Sequence, residues 1–489
     1  VSKPTIKTLG ALKKSGYKSR TIKEELRENL IKKLQKNETI FEGIIGFDDT
    51  VLPDIERAIL SQHNILLLGL RGQAKTRIAR MMTQLLDEYM PIVAGSEIHD
   101  DPMQPLSRYA LDVIKDKGDK TPVDWVHRDE RFVEKLATPD VSVADLIGDV
   151  DPIKAASLKL SYADERVIHF GLVPRAHRSI FVLNELPDLQ ARIQVSLFNI
   201  LQEGDLQIRG FKLRFPLDIQ FVFTANPEDY TNRGSIVTPL KDRIESQILT
   251  HYPKELDIAL SITEQEARMS EGQKETITVP EEVKQILELV SFKARDSDYI
   301  DEKSGVSARL SISARENLVS AAERRMYVNG DSNTVVRLTD FWGVVPAITG
   351  KVELVYEGEQ MGVYEVAIDL IDKAIKDLFL ERFPDPNRTV KMDDKDPYGV
   401  IKAFFAGGNV VDLLNDDSEE IYKAKLDDIQ GLDKLIKKYA SDTNLPYFYK
   451  ELILHGLAAA EMIGKNVLDK QFSFSDPLAG MFGDLDDEA

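Results

Sequence analysis

The sequence predicts an α/β protein, a parallel sheet covered by helices, followed by an α-helical lid and an α-helical C-terminal region. Three observations predict this class. Apolar runs of strand length recur at 65–68, 180–183, 219–224 and 247–250, and most lead into a helical pattern, as buried strands of a parallel sheet do. The first run passes through a glycine-bearing turn straight into a helical stretch. From about Lys254 onward the apolar spacing is almost wholly helical.

Taken in order, residues 1–40 form a basic helical arm in which Ile22, Leu26, Leu30 and Leu34 share one face, a stripe expected to dock on the domain that follows. Residues 1–36 hold eleven Lys or Arg against Glu24, Glu25 and Glu28. That charge reads either as a tail for an acidic partner or anionic surface, or as a solvated helix. Residues 41–253 are the expected α/β nucleotide-binding domain. Within it, the polar stretch 100–122, broken by Pro102, Pro105 and Gly118, reads as a loop or small subdomain, and 205–215 as a β-hairpin about Gly210. The lid, 254–350, is expected to hold helices near 255–269, 280–292, 313–328 and 338–348. The extension 351–489 has helical patterns at 363–379 and 449–464, divided by FPDPNRTVKMDDKDP, and an acidic end.

Composition narrows the function. A chain of 489 residues, 43 % hydrophobic and 30 % charged, is a soluble globular protein of two to four domains. With 63 Lys plus Arg against 82 Asp plus Glu, its net charge of −19 argues against general nucleic-acid binding. Absence of cysteine excludes disulfides, thiolate metal sites and a cysteine nucleophile. The longest apolar run, 65–70, falls far short of the ~20 residues that span a bilayer, and the opening VSKPTIKTLG lacks a signal-peptide core. A cytoplasmic location without a membrane segment is expected. The seven histidines show no ligand spacing, and the acidic clusters Asp100-Asp101 and 486–488 read as solvated loops.

The strongest chemical signal is Gly69-Leu70-Arg71-Gly72-Gln73-Ala74-Lys75-Thr76, between an apolar strand and a helix. This is the spacing of a P-loop, in which backbone N–H groups cradle phosphates, a Lys reaches the β/γ-phosphates and a hydroxyl meets Mg²⁺. Lys75 and Thr76 fit those roles, and Ala74 stands where the pattern has its second glycine. The competing reading is an ordinary strand-turn-helix with a chance Lys-Thr. The second run ends in Asn184-Glu185, where such an enzyme needs a metal-associated acid and a water-activating carboxylate. Glu185 fits the latter; Asn184 can accept a hydrogen bond from a metal-bound water but carries no charge. Asn226 closes the third run, placed to bond the γ-phosphate or the attacking water. Arg243 precedes the fourth, where a guanidinium could reach a neighbouring subunit's nucleotide.

In this order the elements resemble the AAA+ ATPases, specifically the clade of the magnesium-chelatase I subunit and the MoxR-type ATPases, over roughly residues 35–350. DLIGDVDPIKAA, FGLVPRAHRSIFVLNELPDL, LFNILQEGDLQIRG and FTANPED continue the parallel. The resemblance implies that Lys75 and Thr76 are the Walker A pair, Asn184 and Glu185 the Walker B pair, Asn226 sensor 1, and Arg243 the arginine finger, with Arg233 the second candidate. Ala74 leans towards the MoxR branch. Sensor 2 falls on Arg309 or Arg315, the latter preferred because Ser313 and Glu316 form an S-x-x-E pattern that would start a helix there. In PRAHR, Arg175, His177 and Arg178 stand where the family places residues at subunit boundaries.

The resemblance implies an ATPase that takes ATP and Mg²⁺, with Thr76 and Asn184 at the metal, and that forms a homo-oligomeric ring, a hexamer. Its expected task is to remodel or insert metal into a client protein, in similar proteins often one with a von Willebrand factor A domain. The alternatives are a true Mg/Co chelatase motor subunit for tetrapyrroles and an ATP-gated assembly scaffold with weak hydrolysis.

Overall fold

All four apolar runs become strands of one parallel sheet, and a fifth strand joins them. In chain order they are β1 (Ile65–Leu68), β2 (Phe132–Leu136), β3 (Ser179–Asn184), β4 (Ile219–Ala225) and β5 (Ser246–Leu249), and their spatial order is β5-β1-β4-β3-β2. With the glycine-bearing turn following β1, this is the P-loop fold of AAA+ type. Every residue of β1, β3 and β4 is buried, which is why they read as unbroken apolar runs. The edge strand β2, FVEKL, carries Glu134 and Lys135 and was invisible to that test. The computed structural model describes residues 3–161, 164–203, 205, 206, 208, 215–227, 235–388, 396–441, 443–468 and 471–477. The chain divides into two units, Val1–His251 and Tyr252–Ala489.

The first unit elaborates the sheet. Hairpin strands Tyr89–Val93 and Val123–His127 flank the polar stretch, which holds a helix, Arg108–Lys117, capped by Ser107. Asp100 and Asp101, expected in solvent, are buried. Asp100 accepts the amides of Leu106 (2.7 Å) and Ser107 (2.8 Å), and Asp101 pairs with Arg178 at 3.5 Å, so these carboxylates tie the loop instead of decorating it. A second hairpin pairs Gly148–Val150 with Ile168–Phe170. Asp205–Leu206 pairs antiparallel with Phe215–Pro216, the base of the expected hairpin about Gly210; its tip lies outside the described residues.

The basic arm is part of this unit. Its helices are α1 (Leu9–Lys14) and α2 (Ile22–Gln35), the latter opened by a Thr21–Glu24 capping box. Ile22, Leu26 and Leu30 are buried as their spacing requires, while Leu34 is exposed. Opposite this stripe's edge, Glu25 takes both η-nitrogens of Arg131 at 2.7 Å, and Arg131 Nε donates to the Arg178 carbonyl at 3.0 Å. Lys3 and Lys13 pair with Asp124 and Asp119, both at 2.9 Å, and Arg20 bridges Glu28 and Asp87. Lys3, Lys13 and Arg20 of the arm are thus met by carboxylates of this unit. Asp218 accepts the Ile22 amide at 2.7 Å, and burial pushes its carboxyl up to about 6.

The second unit is mainly helical, with principal helices Leu256–Glu266, Glu281–Arg295, Arg309–Asn329, Val363–Arg382 and Pro446–Ala459. It also contains a three-stranded antiparallel sheet, Val411–Leu414, Gln471–Ser475 and Gly464–Leu468, which helical periodicity did not predict. Gly456 lets Pro446–Ala459 press onto Val363–Arg382: a Cβ there would lie 2.2 Å from the Phe379 ring. Buried Arg325 holds Asp340 through two bonds of 3.0 and 2.8 Å, and buried Glu451 accepts the first amides of the 3₁₀ turn at Leu338 and Thr339 (3.0 and 2.9 Å). Among the described residues no helix is long and apolar enough to cross a membrane.

The docked arm generates two predictions. Glu25→Gln leaves the buried Arg131 charge unmatched and should destabilise the first unit by about 3–5 kcal/mol in urea unfolding read at Trp125. The Asp218 pKa, about 6, lies above the unfolded value near 3.9, so the folded state takes up a proton first as pH falls. Wild type should therefore gain stability over Asp218→Asn between about pH 6 and pH 4, and show its smallest advantage above pH 6, in paired thermal melts.

Candidate functional site

Parallel pairing aligns Leu68 with Ala225 and Leu183 with Phe223, so β1, β4 and β3 end level and their loops converge. The Gly69 amide donates to the Ala225 carbonyl at 3.1 Å, carrying the pairing one residue into the turn. A side chain at Gly69 is impossible: its Cβ would lie 2.0 Å from Thr250 Oγ1 and 2.2 Å from Gln73 Oε1, two atoms themselves bonded at 2.6 Å. Gln73 thus anchors the loop to the end of β5. Gly72 and Ala74 both adopt positive φ, 73° and 55°. The second glycine of the pattern answers to that left-handed backbone, which Ala74 occupies with a methyl group. Leu70 is half-buried and Arg71 exposed.

Lys75 opens the helix Lys75–Met81 and is buried, its ammonium folded back onto the carbonyls of Gly69 and Leu70 (2.9 Å to the latter). A cation held by the loop's own carbonyls can swing to a phosphate drawn into the same turn. Thr76 Oγ1 lies 3.3 Å from Asn184 Oδ1, which also accepts the Thr224 hydroxyl at 3.1 Å. Asn184 Nδ2 donates to Glu134 Oε1 at 2.6 Å, and Arg80 binds the other Glu134 oxygen at 2.7 Å. Glu185 sits in left-handed backbone, φ 53° and ψ 50°, and its amide donates to Thr224 Oγ1 at 3.2 Å. Such conformations cost about 1–3 kcal/mol and persist where the surroundings enforce them.

Asn226 is 5 % exposed, and its Oδ1 has no hydrogen-bond partner among the described residues. An orphaned acceptor beside a phosphate cradle fits a site that completes itself with a hydrated nucleotide. The residues therefore fit ATP with Mg²⁺: backbone and Lys75 for phosphates, Thr76 and Asn184 towards the metal, Glu185 and Asn226 towards water.

Arg243 follows the turn of helix at Thr238–Lys241, half-buried, with Nη1 on the Pro239 carbonyl at 2.6 Å and its guanidinium 5.2 Å from the Phe198 ring centre. Arg233 lies outside the described residues. Of PRAHR, Arg175 is exposed, but His177 and Arg178 are buried supports. His177 Nδ1 accepts the Asp218 amide at 3.0 Å, and burial brings its pKa down to about 3, which keeps it neutral. Arg178 binds the Pro91 carbonyl (2.8 Å) and Tyr17 (3.0 Å). Neither has the accessibility a subunit boundary requires.

In the second unit, Arg309 is exposed and Arg315 buried, the latter paired with Glu264. Their helix begins at Arg309, so Ser313 is interior and the expected capping box does not form; Glu316 instead accepts the Arg268 amide at 2.9 Å. Sequence reading missed Glu134 and Thr224 as site residues. Only Glu134 left a signal, an acid on an otherwise strand-like segment.

Residues 158–247, which include Asn184, Glu185, Asn226 and Arg243, match the family model of the sigma-54 interaction domain. Solved structures similar to this chain include NtrX from Brucella abortus in complex with ADP (13 % identity, 68 % of this chain and 60 % of that one, TM-score 0.37). A chain of the complex between magnesium chelatase subunits BchI and BchD, built on a single-particle cryo-EM reconstruction, is 18 % identical over 66 % of this chain and 98 % of that one, TM-score 0.33. A P216G mutant of Thermotoga maritima RuvB is 10 % identical over 95 % and 94 %, TM-score 0.32.

Relieving the left-handed strain at Ala74 should show directly. Ala74→Gly is expected to raise stability by about 0.5–1 kcal/mol, net of the greater freedom glycine gives the unfolded chain, and thermal unfolding checks the sign.

Proposed function

We propose that the protein is a Mg²⁺-dependent ATPase whose nucleotide lies in the turn after β1. The observation that carries this reading is the convergence of Lys75, Thr76, Asn184, Glu185 and the orphaned Asn226 acceptor on one sheet edge. Loop amides and Lys75 hold the phosphates, while Thr76 and Asn184 face the cation, which neutralises phosphate charge when bound. The Glu185 carboxylate takes a proton from the attacking water as general base, and Asn226 accepts a hydrogen bond from that water. Arg243 is the proposed arginine finger, acting in a ring, hexameric in this reading, and Arg315 the proposed sensor 2. The output is remodelling or metal-insertion maturation of a partner protein, with a von Willebrand factor A domain as the candidate class; the match of 158–247 to a sigma-54 interaction domain supports the ATPase reading in general.

A second reading rests on Asn184: without a charge at that position, nucleotide would gate assembly and hydrolysis would be slow. Steady-state turnover separates the two. Lys75→Ala should abolish nucleotide binding, whereas Glu185→Gln should keep binding and lose about 10²–10⁴ in turnover. A wild type no faster than Glu185→Gln would favour the scaffold and end the motor reading.

A further inference from the structure

We propose that Glu134, through the Asn184 amide, supplies the negative charge that the cation site lacks and fixes which end of that amide faces the cation. The inference rests on the nucleotide reading above and adds a residue to it.

Donors and acceptors decide the orientation. Asn184 meets three groups: the hydroxyls of Thr76 (3.3 Å) and Thr224 (3.1 Å), and the Glu134 carboxylate (2.6 Å). A hydroxyl donates or accepts, so the two threonines tolerate either orientation of the amide. An ionised carboxylate only accepts. Glu134 alone therefore dictates that Nδ2 points to β2 and Oδ1 to Thr76. Were the amide reversed, two N–H groups would face the place where a metal-bound water must donate.

Charge follows the same path. The bond from Nδ2 to Glu134 is short and charge-assisted, and it polarises the amide so that Oδ1 becomes the richer acceptor. A carboxylate one side chain further out, relayed by an amide, replaces the carboxylate expected on β3. The competing account is that Glu134 merely serves its ion pair with Arg80. That pair is weak, because the Arg80 side chain is 64 % exposed and solvent screens it. Glu134, at 26 %, is the better shielded partner and leans on Asn184.

The test uses the full chain and a fluorescent ATP analogue, N-methylanthraniloyl-ATP, titrated with and without MgCl₂. Glu134→Gln should raise the Mg²⁺ midpoint for tight nucleotide binding about tenfold, while Mg²⁺-free affinity stays within about twofold, which also reports that the loop is folded. Arg80→Gln, which breaks the ion pair but keeps the carboxylate, should leave the midpoint unchanged or lower it. Returning the charge to β3 in Glu134→Gln/Asn184→Asp should bring the midpoint back towards wild type. A Glu134→Gln midpoint within twofold of wild type overturns the proposal, as does an Arg80→Gln loss equal to that of Glu134→Gln. If wild type binds no nucleotide at all, the premise itself fails, a result distinct from Mg²⁺-dependent binding that is indifferent to Glu134.

Discussion

The level ending of three parallel strands is the constraint on which the site depends. Turns that leave β1, β4 and β3 are far apart in sequence, yet parallel register brings Gly69, Asn226 and Glu185 to one edge without any long side chain having to reach. A parallel sheet has no one-residue alternative here, since β3 and β4 are buried on both faces and a slip would exchange tightly packed phenylalanines such as Phe181, Phe221 and Phe223. Packing fixes the register, and the register fixes the chemistry.

Two departures from the expected pattern sit on that edge, and each is met locally. Ala74 accepts a left-handed backbone that glycine would adopt freely, and Gln73 pins the adjoining turn to Thr250. Asn184 lacks a charge, and a carboxylate from the neighbouring strand stands against it. Both substitutions keep the shape of the site. They change how the shape is held, by a fixed loop in one case and a relayed charge in the other.

How much was legible in the sequence depended on what kind of signal each feature leaves. Unbroken apolar runs marked β1, β3 and β4, because strands buried on both faces admit little else, whereas the edge strand β5, with only Ile248 buried, showed as a short apolar stretch. The edge strand β2 carries Glu134 and Lys135 and left no such run, and with it went Glu134 as a site residue. Asp100 and Asp101 resemble any acidic loop in one dimension; only the fold shows the amides and the guanidinium that bury them. The Ser313 and Glu316 pattern misled because a short motif says nothing of a helix already begun at Arg309. The C-terminal sheet escaped because its strands are short, and two of them follow directly on a long helical pattern.

The docked arm has a consequence in time. Its partners Asp119, Asp124, Arg131 and Asp218 lie 100 to 200 positions further along the chain, as the Lys13–Asp119 and Ile22–Asp218 bonds show with separations of 106 and 196 residues. At about 5–20 residues per second, a ribosome needs roughly ten to forty seconds to supply them. During that interval Glu25 lacks Arg131 and the Ile22 amide lacks Asp218, while Ile22, Leu26 and Leu30 have nearer core neighbours such as Ile55 and Ile59. The arm's ties to Arg131 and Asp218 can therefore form only after more than a hundred further residues have been made.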